Sequence, residues 1–368
     1  MVHIAVNAHL LAPGDGYRRA GIHRYMYGVL RHLPDVDESL RYTVMLNHHL
    51  DYSHPRQQER LGMFNTAKPS QRIVWEQLVQ PWALRQLKPD LYHGLAFVQP
   101  VSVPCPSVVT VYDLSFERYP EVLSGLRRRY LQAFTKHSCQ HATRIISISE
   151  STKRDLVELW QIDPAKIDIA YPGVGSEFRR LPTEDVEAFR HAKGLPKRFW
   201  FFVGTFEPRK NLSLLIEAYG QLPPTVREEV HLVLGGGKGW MYDDIFSRSA
   251  AYPTIHTPGY IPAEELALWY NAAEAFLYPT LYEGFGIPIV EALACGTPVV
   301  ASNSSSLPEA AGEVGILLPP DDSSAWTATL ERLANQPAVV AETGPAWAAR
   351  FTWEHAAQQT VESYRKCR

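Results

Sequence analysis

A chain of 368 residues is long for one hydrophobic core and comfortable for two domains. An apolar fraction of 45% and a charged fraction of 20% exclude a disordered or fibrous chain. The net charge of −3 and pI near 6.5 argue against a whole-protein role on nucleic acid, and no apolar run reaches the roughly 18 residues of a membrane-spanning helix.

The N-terminus Met1-Val-His-Ile-Ala-Val reads as a strand rather than a signal peptide. In the first half, strands are expected near His3–Ala8, Tyr42–Asn47, Asp90–Gly94, Val108–Tyr112, Arg144–Ile148 and Ile167–Tyr171. Helical patterns fill the gaps, notably Ile22–His32, Gly125–Gln140 and Ser151–Trp160. A linker is placed near Gly173–Pro182. The second half restarts with the apolar run Phe199–Val203, then strands near Val230–Leu234, Thr254–Pro258, Ala275–Pro279, Pro298–Ala301 and Gly315–Leu318. Helices are expected at Leu212–Gln221, Ala263–Ala273, Ile287–Cys295 and Ser323–Asn335. This β–α rhythm predicts an α/β protein of two doubly wound Rossmann-like domains facing a central cleft, residues 1–178 and 179–351. Ligands of such sheets sit at the carboxyl ends of the strands, where Gly204, Gly235, Gly259 and Thr280 fall. Cys105, Cys139, Cys295 and Cys367 show no CxxC or zinc spacing and read as reduced thiols of a cytoplasmic protein.

The most informative segment is Tyr282-Glu-Gly-Phe-Gly-Ile-Pro-Ile-Val-Glu-Ala-Leu-Ala294. Glu283 and Glu291 stand eight positions apart around a glycine turn, and Glu291 lies in a helix that otherwise reads as buried, so it needs a partner. Gly284 and Gly286 bare backbone N–H groups at the helix start, which suits a phosphate or a sugar hydroxyl. Both properties together suit a nucleotide sugar. After Val203 comes Gly204-Thr-Phe-Glu-Pro-Arg-Lys-Asn211, where Arg209 and Lys210 can clamp a diphosphate and Asn211 can cap the next helix.

Weaker signals surround these. The loop Pro13–Tyr25 lacks the GxGxxG fingerprint, but its end at Gly21 can bring N–H groups to a phosphate. Gly235-Gly-Gly-Lys-Gly239 lacks P-loop spacing and reads as a tight turn. The backbone at Gly259-Tyr260 can bond a base edge or form an ordinary turn. Asp113 either caps the next segment or lines the cleft; His93 is either a packed structural histidine or a catalytic one. No DxD, HExxH or paired His ligands mark a metal site, so no metal and no cofactor beyond a nucleotide-sugar substrate are expected.

These residues resemble the retaining glycosyltransferases of family four, which have the GT-B fold, and among them mannosyltransferases. The family's E-x7-E motif matches Glu283–Glu291, its R-K clamp Arg209 and Lys210, its glycine loop Ala20-Gly-Ile-His-Arg-Tyr25, and its base-contact loop Gly259-Tyr260. The resemblance implies that Glu291 holds ribose hydroxyls and Glu283 donor-sugar hydroxyls. It implies that backbone N–H groups of Gly284, Phe285, Gly286 and Ile287 hold sugar and phosphate, with Gly21 approaching the diphosphate from the other domain. It also implies that a last helix, about Thr352–Lys366, packs back on the N-terminal domain. Many relatives carry His before the Asp at the strand end, where this chain has Tyr112 beside Asp113.

The implied activity is metal-independent transfer of a hexose, with guanosine diphosphate mannose as leading donor, to a glycan or lipid-linked acceptor. Two alternatives are a nucleotide-sugar epimerase of the same architecture and a catalytically silent nucleotide-sugar-binding subunit. Between Arg118 and Arg144 the cations face only Glu121, and Leu126, Tyr130, Ala133 and Phe134 are expected along one helix face. Such a helix either docks the protein peripherally on the inner face of the membrane or packs that face on the sheet.

Overall fold

Runs such as Ile4-Ala-Val6 and Phe199-Trp-Phe-Phe202 are apolar at every position, so both faces of these strands must leave water. A parallel sheet covered by helices on both sides satisfies that demand. The computed structural model describes the chain except residues 12–20, 63–65, 67–68, 121–124, 238, 240–241, 339 and 368, and except the side chains of 69, 126 and 242. The expectations for residues 13–20, for Glu121, for the Leu126 side chain and for Lys238 therefore lie outside the described residues.

The chain divides into two units, Met1–Gly173 with Thr352–Arg368, and Val174–Phe351. The first carries β1 Val2–Asn7, β2 Leu40–Leu46, β3 Gln57–Leu61, β4 Leu91–Gly94, β5 Ser107–Val111, β6 Arg144–Ser147 and β7 Ile167–Ile169. They pair in parallel in the order β3-β2-β1-β4-β5-β6-β7. The second carries β8 Phe199–Val203, β9 His231–Gly235, β10 Ile255–Gly259, β11 Ala275–Tyr278, β12 Val299–Ser302 and β13 Ile316–Leu318. Its parallel order is β10-β9-β8-β11-β12-β13. Each order reverses once, between β1 and β4 and between β8 and β11, and loops at such a switch point diverge to leave a crevice.

The last helix, Trp353–Arg365, belongs to the first unit and lies against the helix Ile22–Val36. Gly28 makes the approach possible, since a Cβ there would lie 2.2 Å from Trp353 Cδ2. Tyr364 and His93 share a hydrogen bond of 2.7 Å, and Arg365 reaches Asp37 at 2.7 Å. His93 also meets Thr110 Oγ1 at 2.8 Å, and burial pushes its imidazole pKa down to about 3. His93 is thus a packed, neutral, structural side chain.

Several local expectations are corrected. β3, sequence Gln-Gln-Glu-Arg-Leu, is an edge strand with no apolar alternation, so only its pairing with β2 declares it. No helix is assigned from sequence to the region 69–87, which contains Pro81. The chain instead runs through Pro69–Val74, a π turn Trp75–Val79 and Gln80–Leu87, and Pro81 falls in the first turn of the last piece, where its missing N–H costs nothing. The first helix passes Pro34 and ends at Val36, because Arg56 takes the Pro34 carbonyl with Nε at 3.0 Å and Nη2 at 2.7 Å. Of the two readings of helix Gly125–His141, packing of the Tyr130, Ala133 and Phe134 face on the sheet is corrected: Ala133 is exposed, Tyr130 and Phe134 are half-buried, and Thr135, Ser138 and Cys139 point inward. Ser138 explains this seating, since its hydroxyl accepts from Gln99 N at 2.9 Å and donates to Phe134 O at 2.6 Å.

The contact between Gly28 and Trp353 is testable by a double-mutant cycle. Gly28→Ala gains up to about 1 kcal/mol in helix preference but overpacks the ring, at a cost of about 1–3 kcal/mol. Urea unfolding should show a net loss in the wild-type background and a gain in Trp353→Ala. Equal effects in both backgrounds would contradict the packing described.

Candidate functional site

β8 and β11 are sheet neighbours, and the loops at their carboxyl ends meet. The first runs through Gly204 to a short 3-10 turn, Pro208–Lys210; the second carries Tyr282, Glu283 and Gly286 into the helix Ile287–Ala294. Leu281 N donates to Arg209 O at 2.8 Å, so the two loops are tied through the backbone. Beneath them the sheet is aromatic: Phe202 stacks on Tyr278, and Phe201 on Trp269 at 5.4 Å between centroids. The β9 loop presses on the β8 loop so closely that a Cβ on Gly236 would lie 1.9 Å from Gly204 O.

Glu283 Oε1 accepts from Arg209 Nη1 at 2.8 Å and from Lys210 Nζ at 2.5 Å. Arg209 also donates through Nε to Glu207 Oε2 at 3.0 Å and through Nη1 to Tyr282 O at 3.2 Å. Lys210, only 6% exposed, donates to the Tyr278 hydroxyl at 2.9 Å, and its ammonium lies 5.0 Å from that ring's centroid. Burial opposes the charge on Glu283, but Arg209 and Lys210 outweigh it and hold the carboxyl down at about 2. Burial also lowers the Lys210 ammonium pKa, with Glu283 pulling it back up. The formal charges of Glu207, Arg209, Lys210 and Glu283 cancel, so the cluster is stable without a ligand yet offers two cations to an arriving anion.

The Glu283 loop is clamped from the β12 side. Ser305 Oγ accepts from Glu283 N at 2.9 Å, Ser306 Oγ donates to Glu283 O at 2.8 Å, and Ser304 Oγ donates to Thr280 O at 2.9 Å. Gly286 has φ 101°, in the left-handed region, and no side chain caps the helix that follows. Phe285 is buried against Phe351, while Ile287 sits 9% exposed at the helix start. Glu291 is 2% exposed on that helix and accepts from the Tyr270 hydroxyl at 3.1 Å.

Arg209, Lys210, Glu283, Gly284 and Gly204 are therefore gathered at the β8–β11 switch point, with Glu291 one turn into the helix behind them. Gly259, at φ 83°, and the exposed Tyr260 end the β10 strand of the same unit. Gly21 and Asp113 belong to the first unit. Gly21 stands at the start of the first helix with φ 58°, and Asp113 Oδ1 accepts from Ser115 N at 2.8 Å in a tight turn. Tyr112 is buried and donates its hydroxyl to Leu95 O at 2.6 Å. Asn211 does not cap with its side chain: it adopts φ 55°, and Nδ2 donates to Pro320 O at 2.7 Å. Sequence reasoning missed Glu207, Tyr278, Tyr270 and the Ser304–Ser306 clamp. Glu207 was legible as an acid two residues from Arg209; the others are recognisable only through contacts distant in sequence. Among the described residues, no three His, Cys, Asp or Glu side chains converge as a metal site.

Residues 19–178 match the family described as Glycosyltransferase Family 4, and residues 184–346 that described as Glycosyl transferases group 1. The chain is 33% identical to the O-antigen chain mannosyltransferase B of Escherichia coli over 293 residues, 78% of this chain and 77% of that one. It is 26% identical to the serotype-specific mannosyltransferase WbdA of Escherichia coli over 77% of its own residues, and spans 37% of that longer relative. The structure of Anabaena HepE in complex with UDP-glucose superposes with a TM-score of 0.74 at 17% identity, covering 99% of this chain and 100% of that one.

The ion cluster predicts a pH signature. Because the Glu283 carboxyl lies near 2 instead of 4.5, its contribution is fully present above pH 4.5 and is lost as pH falls through about 2. Glu283→Gln should cost about 3 kcal/mol at neutral pH, with the gap to wild type narrowing below pH 4.5. Urea unfolding at a series of pH values measures it. A gap independent of pH would mean that the cations do not hold this carboxylate ionised.

Proposed function

The chain belongs to the group 1 glycosyltransferases of family four and has their GT-B fold, and from this premise we propose that it is a retaining, metal-independent mannosyltransferase. Its donor is GDP-mannose, and its acceptor is a hydroxyl on a glycan or lipid-linked glycan, with the protein in peripheral contact with the membrane. The observation that carries this reading is the convergence of Arg209 and Lys210 on Glu283 at the switch point of the second sheet. The donor sugar follows the name of the 33% identical relative, and the UDP-glucose held in the HepE structure supports the nucleotide-sugar class.

As the glycosidic bond of the donor breaks, negative charge grows on the departing diphosphate. Arg209 offers it a planar fork and Lys210 a buried point charge, both already fixed in place, so little reorganisation is needed. Glu283 stays ionised and acts as a hydrogen-bond acceptor for donor-sugar hydroxyls, not as an acid. Glu291, held by Tyr270, accepts from the ribose hydroxyls. Neither carboxylate is a nucleophile in this scheme. The leaving phosphate takes the acceptor's proton on the face it departs from, which keeps the anomeric configuration.

Arg209→Ala and Lys210→Ala should each lose about 2–4 kcal/mol of transition-state stabilisation, read from kcat/KM with GDP-mannose. Glu291→Gln should weaken free GDP, whereas Glu283→Gln should chiefly weaken the intact donor. Turnover in excess chelator should equal turnover with added Mg²⁺ or Mn²⁺. An inverted product anomer, an absolute metal requirement or near-wild-type turnover in both Ala variants would each overturn this scheme, and a panel of nucleotide sugars tests the donor.

A further inference from the structure

The segment of the first unit from Pro69 to Leu87 has a complete inward face, with Trp75, Ala83 and Leu84 at most 4% exposed. Its outward face is apolar as well. Val74, Leu78 and Trp82 recur every fourth residue and are 41%, 70% and 58% exposed, so the core does not account for them. Val101 continues the stripe: it is 58% exposed, and its N–H donates to Gln77 Oε1 at 3.0 Å. An exposed row of this kind marks a contact surface.

The charges around the stripe indicate what it contacts. The helix Gly125–His141 lies alongside, joined by the Tyr130 hydroxyl donating to the Glu76 carboxylate. Arg72, Arg85 and Lys88 stand on or beside the first segment, and Arg127, Arg129 and Lys136 on the second. Residues 69–88 and 125–141 contain one acid, Glu76, and it is 2% exposed and faces His9 at 3.0 Å. The loop 95–106 holds no charged residue. A chain of net charge −3 thus presents here a row of large apolar side chains, and among the described residues of these three segments every exposed charge is a cation. A second copy seated on this face by two-fold symmetry would bring like charges together, and nucleic acid would leave the aliphatic row without apolar contact. A bilayer with anionic headgroups satisfies both parts.

We propose that the stripe Val74, Leu78 and Trp82, with Arg72, Arg127 and Arg129 at its flank, docks the first unit on the surface of an anionic lipid bilayer. This specifies the surface for the membrane contact in the proposed function and rests on that reading. The apolar anchor comes from the Pro69–Leu87 segment, and the helix Gly125–His141 supplies charge.

Flotation of the full chain with vesicles tests it, using phosphatidylcholine mixed with phosphatidylglycerol against phosphatidylcholine alone. Binding should appear on the mixed vesicles at low salt and fall at least about tenfold on neutral vesicles or at high salt. Leu78→Gln/Trp82→Gln and Arg127→Glu/Arg129→Glu should each reduce it by at least about tenfold, with melting temperature and slow donor hydrolysis unchanged. Absence of wild-type flotation, or flotation that survives both double variants, overturns the proposal. So does a dimer in sedimentation velocity that Leu78→Gln/Trp82→Gln converts to monomer without vesicle binding, or salt-sensitive binding of an RNA probe in its place. Donor hydrolysis in the same samples separates the two readings: turnover without flotation rejects the docking face and leaves glycosyl transfer standing.

Discussion

A carboxylate and two cations held out of water determine how the second unit is built. Any one of Glu283, Arg209 and Lys210 alone at that depth would cost several kcal/mol, and only their mutual contacts make the arrangement tolerable. The loops must therefore be fixed to within a few tenths of an ångström. The Leu281–Arg209 backbone bond, the three serines after β12 and the Tyr278 hydroxyl all serve that requirement. The aromatic floor formed by Phe202 and Tyr278 lets Lys210 lie in a region of low polarity without losing its charge partners.

The two sheets share a strand order but differ in what stands at their switch points. At the head of β1 and β4, Asn7 Oδ1 meets His9 Nδ1 at 2.6 Å, Glu76 closes the other side of that ring, and His93 is sealed beneath Tyr364. Those polar groups face one another within the first unit. At the head of β8 and β11 the cations are balanced by carboxylates that an anionic ligand can replace or join. One backbone plan thus carries two different sets of polar side chains at its switch points.

Much of this was legible in the residues. Apolar runs such as Phe199–Phe202 announce buried parallel strands, and Glu291 amid Ile289, Val290 and Ala292 announces a buried carboxylate that needs a partner, which Tyr270 supplies. What stayed hidden depends on partners far away in sequence. β3 has no apolar pattern because it needs only β2; the segment through Pro81 continues only because a π turn resets the helix before it. Asn211 has the composition of a cap but serves Pro320 O, 109 residues away. The helix Gly125–His141 turned by almost half its circumference from the expected seating, since the hydroxyl of Ser138 found a backbone donor that apolar patterning does not register.

The first unit is completed by residues that follow the second unit in the chain. Trp353 fills the space over Gly28, and Tyr364 covers His93, so neither side chain has its native neighbour until the second unit has been made. At roughly 5–20 residues per second, the intervening unit Val174–Phe351 takes on the order of 10–35 s to be made. Throughout that interval the N-terminal half emerges with an apolar groove along its first helix open to solvent and to chaperones. The helix Trp353–Arg365 closes it only after Val174–Phe351 has been made. A nonsense codon just ahead of Trp353 would therefore injure the first-made half of the molecule while sparing the residues of the second unit.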